Sequence, residues 1–228
     1  MIRARGVLAL AAALWLGAVG RDGFDDWVAA TVLPPLVPQT SVLIEDRAGA
    51  LLRAYTVADG RWRLAVTPDA VDAQFIDMLI AYEDGRFRDH AGVDGRALLR
   101  ALAQAVWNGG VVSGGSTLTM QVARLLEDSG TGRIDGKLRQ MRVALALERR
   151  LGKDGILGLY LQLAPYGGNI EGLRAAALAY FGKEPGRLTP AEAALLVAIP
   201  QSPESRRPDR HPDRAADARD RVLARAVA

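Results

Sequence analysis

The chain has 228 residues, half of them hydrophobic and 24% charged, a balance that suits one medium globular domain plus an arm or anchor and argues against disorder. It has no cysteine, which excludes disulfides, thiol catalysis and cysteine-held metals. Its two histidines, His90 and His211, stand too far apart for an HExxH zinc site, so no metal ligands are assigned. The net charge of +3 comes from basic and acidic residues that mostly alternate, as from Arg206 to Arg221. A solvated surface or an anionic headgroup accounts for that pattern, and with no aromatic-plus-basic platform no nucleic-acid partner is expected.

In chain order, residues 1–22 hold an uncharged apolar run, Gly6 to Gly20, behind Arg3 and Arg5. As a helix this run would reach about 22 Å, short of a ~30 Å hydrocarbon core. A signal anchor with the arginines inside is the favoured reading and a cleavable signal peptide ending near Ala18-Val19-Gly20 is the other; both put the rest outside the cytoplasm. Residues 23–40, with Pro34, Pro35 and Pro38, read as a linker. Residues 41–67 read as a small β-ribbon: strands from Ser41 to Asp46 and Ala50 to Tyr55, with a third from Arg61 to Val66. From 68 to 228 the pattern is helical and the fold class is mostly α. Val71, Phe75, Met78, Leu79 and Tyr82 share one helical face, with Glu83 at the helix end. Asp94 can cap a second helix with Leu98, Leu102, Ala105 and Val106 inward. Gly114-Gly115-Ser116 opens a third, and Asp135 caps a fourth with Leu138, Met141 and Leu145 as its buried stripe. Helices follow at about 153–162, 170–181 and 189–199, the last opened by the capping box Thr189-Pro190-Ala191-Glu192. A final arginine-rich helix starts near Asp213.

Three segments could carry chemistry. A lone Glu at a helix end is usually solvated, but Glu83 is followed within seven residues by Asp84, Phe87 and His90, and then by Gly92. Such a loop can seat a carboxylate against an aromatic ring and a tuning neighbour, the setting a general base needs. In the run from Ser113 to Arg124, paired glycines let backbone approach a ligand, and the helix start offers N–H groups to an anion. Thr117, Gln121 and Arg124 recur at helical spacing on one face, a hydroxyl, an amide and a guanidinium that suit a phosphate-bearing ligand as well as an ordinary surface stripe. The fourth helix opens with Lys137, Arg139, Gln140 and Arg142, cations where the helix dipole prefers acids; a bound anion would resolve the conflict.

Together these segments resemble the family 51 glycosyltransferases, the domain shared by class A penicillin-binding proteins and monofunctional transglycosylases. Glu83, Asp84, Phe87, His90 and Gly92 match EDxxFxxHxG; Gly114 to Gln121 match GGSTxTxQ; Ile156 to Gln162 is similar to ILxLYLN. Asp59 to Leu64, Ala164 to Asn169 and Arg206 to Arg210 resemble the 1C type most. The resemblance implies a lysozyme-like helical fold and polymerisation of lipid II by inversion, with undecaprenyl pyrophosphate leaving. It implies Glu83 as general base, with Asp84, Phe87 and His90 supporting its loop. Ser116, Thr117, Gln121, Arg124, Lys137, Arg139 and Gln140 would bind substrate. The implied partners are lipid II, the nascent glycan strand, the membrane and other cell-wall synthesis proteins, with the domain on the extracytoplasmic side of the cytoplasmic (inner) membrane.

The third motif departs from the family's RKxxE. Gly136 stands at the arginine position and Gln140 at the glutamate position, beside the retained Lys137. An amide can donate directly to a phosphate oxygen, where a carboxylate needs a metal or proton between. The resemblance thus leaves Mg2+ or Mn2+ open as a cofactor, with a weaker requirement expected here. The sequence contains no SxxK and no KTG, so no acyl-enzyme with β-lactams is expected, and it reads as a monofunctional relative or a fragment. Two rivals stand beside the transferase: a non-catalytic lipid II-binding or scaffold protein, and a lysozyme-like muralytic hydrolase.

Overall fold

The structure, a computed structural model, describes residues 2–108, 115–127 and 134–227. Its first helix, α1 (Ile2–Ala29), runs through the expected anchor and well into the expected linker. No proline interrupts it before Pro34, and its end is tied to the body: Trp27 O accepts from Arg142 at 2.7 and 3.0 Å, and Arg149 pairs with Asp25. A cation on the C-terminal carbonyls of a helix is where the helix dipole favours one. Charges begin at Arg21, and among the described residues no helix is long and apolar enough to cross a membrane.

The ribbon has two strands, β1 (Leu43–Glu45) and β2 (Leu51–Ala54), paired antiparallel. The expected third strand shrinks to β3 (Trp62–Arg63) and leaves the ribbon for a parallel pairing with β4 (Ile170–Glu171). The cause is electrostatic: the buried Glu171 carboxylate takes Arg61 Nη1 at 2.6 Å and Arg63 Nε at 2.7 Å. A buried acid needs such partners, and they lie across the chain from it.

The helices that follow are α2 (Ala73–Glu83), α3 (Gly95–Asn108), α4 (Leu118–Glu127), α5 (Ile134–Leu163), α6 (Leu173–Phe181), α7 (Pro190–Ala198) and α8 (Pro212–Val227). Asp72 caps α2 through Gln74 N at 2.9 Å, and Phe75, Met78 and Leu79 fill its buried face. Each such side chain contributes roughly 1.5–3 kcal/mol when fully buried. The segment α5 joins the expected fourth and fifth helices across a break at Gly152, whose φ of 65° ends the first run. The capping box on α7 forms as expected, and Gly182 ends α6 in the left-handed region. A core of Phe75, Leu79, Phe87, Leu118, Leu147, Ile156, Tyr160, Leu173, Leu196 and Val222, among others, joins α2, α4, α5, α6, α7 and α8.

Two expected faces are corrected. On α5 the buried stripe is Gln140, Val143, Ala144 and Leu147, whereas Leu138 is 58% exposed and Met141 and Leu145 are half-buried. Both stripes have helical spacing; the one chosen is the one α4 packs against. On α3 the Asp94 cap forms, with Oδ1 accepting from Arg96 N and Ala97 N. Of the residues expected inward, Leu98 and Ala105 are half-buried, but Leu102 is 62% exposed and Val106 78%, and Trp107 beside Val106 is 91% exposed.

Candidate active site

At the end of α2 the Asp84 N–H still bonds Ile80 O, after which the chain turns sharply through Phe87 and His90. The side chain of Asp84 points back into the protein, where it holds two elements at once. It accepts from His90 Nε2 at 3.0 Å and from Leu118 N, the first residue of α4, at 2.9 Å. Gly92 N donates to His90 Nδ1 at 3.2 Å, which places the ring proton on Nε2 facing the carboxylate. The start of α4 thus takes its anion from within the protein. Phe87 is wholly buried beside His90, with Lys153 Nζ 4.5 Å above its ring and 2.5 Å from His90 O.

Gly92 is pressed against α5. Its φ is 94°, and a Cβ there would lie 2.6 Å from Ala144 O and 2.9 Å from Ala144 C, both in helical backbone. Gly92→Ala is therefore expected to destabilise the fold by about 2–3 kcal/mol, from backbone strain and overpacking together. Urea unfolding would show this as a lowered midpoint with an unchanged slope.

Glu83 faces outward from the same turn. Oε2 accepts from Gln121 Nε2 at 2.9 Å and Oε1 from Gln201 Nε2 at 2.8 Å, so both carboxylate oxygens are held by neutral amides. Two adjoining cavities share this residue. A cleft of about 520 Å³ is lined by Tyr82, Glu83, Asp94, Arg100, Ser116, Gln121 and Arg225 among others. A smaller pocket of about 230 Å³ is lined by Glu83, Ser116, Met120, Gln121, Arg124, Lys137, Gln140, Pro200 and Gln201.

The smaller pocket is cationic and has one carboxylate, Glu83, in its wall. Lys137 Nζ reaches Ser116 Oγ at 2.5 Å and has no acidic partner among the described residues. Burial, and then the Arg124 charge, lower the Lys137 pKa. An anion placed between them would raise it again, so anion binding here is coupled to proton uptake on the alkaline side. Gln140 is 4% exposed, and its amide has no hydrogen-bond partner among the described residues. Among the described residues no three His, Asp or Glu side chains group together.

Of the residues singled out in sequence, Glu83, Ser116, Gln121, Arg124, Lys137 and Gln140 meet around this pocket. Two others do not. Arg139, two positions and so about 200° around the helix from Lys137, pairs with Glu127 at 2.7 Å on the opposite face. Thr117 lies instead at the wall of the larger cleft, buried, with its hydroxyl given to Gly92 O at 2.6 Å, so it also holds the loop from beneath. Gln201 is not singled out by the sequence, and Arg206, behind it, is read there only as part of the Arg206 to Arg210 run and not as a site residue. Gln201 lies 118 residues from Glu83 in an exposed turn, and no spacing rule links them.

A carboxylate at the shared wall of two cavities, one of them lined by the cations Arg124 and Lys137, is an arrangement compatible with transfer of a group away from an anionic leaving group. The comparisons agree with that class. The Transglycosylase family matches residues 48–227. Penicillin-binding protein 1C of Escherichia coli (strain K12) is 47% identical over 188 residues, 82% of this chain and 24% of that protein. Penicillin-binding protein 1F of Bacillus subtilis (strain 168) is 36% identical over 161 residues, 71% of this chain and 22% of that protein. The crystal structure of penicillin-binding protein 1A from Haemophilus influenzae matches at a TM-score of 0.42 and 20% identity, covering 86% of this chain and 18% of that one. The chain belongs to the transglycosylase family, the glycosyltransferase domain of class A penicillin-binding proteins. It spans about a quarter of the length of the curated relatives it matches.

Proposed function

We propose that this domain polymerises lipid II into β-1,4 glycan strands at the extracytoplasmic face of the cytoplasmic membrane. The observation that carries the reading is Glu83 at the junction of the two cavities. The larger cleft takes the acceptor sugar, whose 4-hydroxyl attacks the anomeric carbon of the donor's N-acetylmuramic acid. Glu83 accepts the hydroxyl proton as the new C–O bond forms, with inversion, and the bond to the pyrophosphate oxygen breaks. Arg124, Lys137 and Gln140 hold the departing undecaprenyl pyrophosphate, stabilising charge as it develops. The exposed apolar face of α3, with Leu99, Leu102, Val106 and Trp107, suits contact with a bilayer surface.

Incubation with purified lipid II and, separately, with purified sacculi tests this reading. Glycan polymer from lipid II and no fragments from sacculi are expected; fragments without polymer would make the protein a hydrolase, and binding without product a scaffold.

The grip on the leaving group carries a second expectation. Ammonium, guanidinium and amide donors reach phosphate oxygens without a bridging ion, so the rate in EDTA is expected to stay within about twofold of the rate in Mg2+. Loss of polymerisation in EDTA, restored by Mg2+ or Mn2+, would overturn it.

A further inference from the structure

An exposed glutamine is a poor brace unless something fixes it. Gln201 is exposed, yet it donates to Glu83 Oε1 at 2.8 Å. Behind it, Arg206 Nη1 donates to Gln201 Oε1 at 3.0 Å and to Ala198 O, the last residue of α7, at 2.6 Å. A guanidinium can only donate, so the amide oxygen of Gln201 must face Arg206 and its NH2 must face Glu83. The chain of polarity is therefore set from the arginine outward.

The turn that carries Arg206 is itself closed. Arg206 N bonds Ser202 O at 3.0 Å, and the hydroxyls of Ser202 and Ser205 lie 2.6 Å apart. The guanidinium is thus anchored to α7 at one end and to this turn at the other, while α7 packs directly on α2, which bears Glu83. Gln121 supplies the second amide from α4, so the carboxylate plane is fixed from two independent elements.

We propose that Arg206 is a positioning residue for the transfer reaction: acting through Gln201, it orients the Glu83 carboxylate toward the acceptor hydroxyl. This rests on Glu83 being the base. Each amide occupies one oxygen and leaves that oxygen's other lone pair for the proton, and a carboxylate free to rotate would spend less time aligned. The contribution falls on the chemical step, because Arg206 lines neither cavity.

Steady-state lipid II polymerisation by the full chain provides the test, with Arg206→Ala, Gln201→Ala, the double variant and Arg206→Lys. Each single alanine variant is expected to lower kcat about 10- to 100-fold, as misorientation does; KM for lipid II should be little changed in Arg206→Ala, whereas Gln201 lines both cavities and its loss can also raise KM. The double variant should be no slower than the worse single one, because both break the same chain. Arg206→Lys, which keeps a cationic donor, should recover part of the rate. Arg206 also holds the end of α7, so Arg206→Ala can lose stability; Gln201→Ala leaves that contact alone and carries the test if Arg206→Ala does not fold. Unchanged kcat in Gln201→Ala, additive losses in the double variant, or a change confined to KM would overturn the proposal. If Glu83→Gln polymerises normally, the assignment of the base fails; if Glu83→Gln is inactive and Gln201→Ala is normal, only the brace fails.

Discussion

Glu83→Gln is expected to lower lipid II polymerisation ~10²–10⁴-fold, the usual contribution of a positioned general base. The substitution keeps size and shape but removes the carboxylate proposed to take the proton. It also creates a local mismatch. Glu83 receives two amide donors, and a glutamine offers only one acceptor oxygen to them. Gln201 is held by Arg206, so Gln121 is the neighbour that must turn to present its own oxygen. That adjustment costs little in an accessible cleft, and the fold and the affinity for lipid II are expected to persist. Thermal melting and lipid II binding would therefore match wild type while polymer disappears. Equal product from both proteins would remove Glu83 from the reaction and leave the cationic pocket as a binding site alone.

Much of this site could be read from the sequence, because the residues that build it sit at helix ends or on helical faces. Glu83 ends a helix whose buried face is unambiguous, and Lys137 and Gln140, three apart, share the pocket side of α5. What escaped was set by tertiary choice. The stripe Leu138, Met141 and Leu145 has the same period as Gln140, Val143, Ala144 and Leu147, and only the packing of α4 decides between them. A two-residue strand such as β3 has no period to read, so its partner β4 was invisible. Of the basic cluster at the start of α5, Arg142 serves the α1 carbonyl end and Arg139, expected to bind substrate, serves Glu127. Only Lys137 is left for the pocket. Asp84 was the subtlest case. Expected to support the loop around Glu83, it sends its carboxylate the other way from Glu83, into the protein, to His90 Nε2 and Leu118 N.

That opposite direction gives Asp84→Ala an expected effect on the whole domain. The carboxylate is buried and receives Leu118 N and His90 Nε2, so its removal leaves two buried donors unpaired. Each orphaned donor costs about 1–3 kcal/mol, which puts the loss near 3 kcal/mol or above. For a chain of this size that corresponds to a fall in Tm of roughly 6–12 °C. Asp84→Asn is the informative partner. Its oxygen can still accept from one donor, but its NH2 group faces the other, so it should recover some of the stability and not all. Activity should fall further than stability alone accounts for at temperatures where the variant is still folded. Asp84 fixes the start of α4 to the end of α2, and those two elements carry Gln121 and Arg124 on one side and Glu83 on the other. Loosening that joint moves Glu83, the proposed base, relative to Arg124 and Lys137, and changes of about an ångström of that kind are felt in kcat. Calorimetry alongside polymerisation kinetics separates the two effects. A variant with wild-type Tm would show that the His90–Asp84–Leu118 connection does not hold the loop.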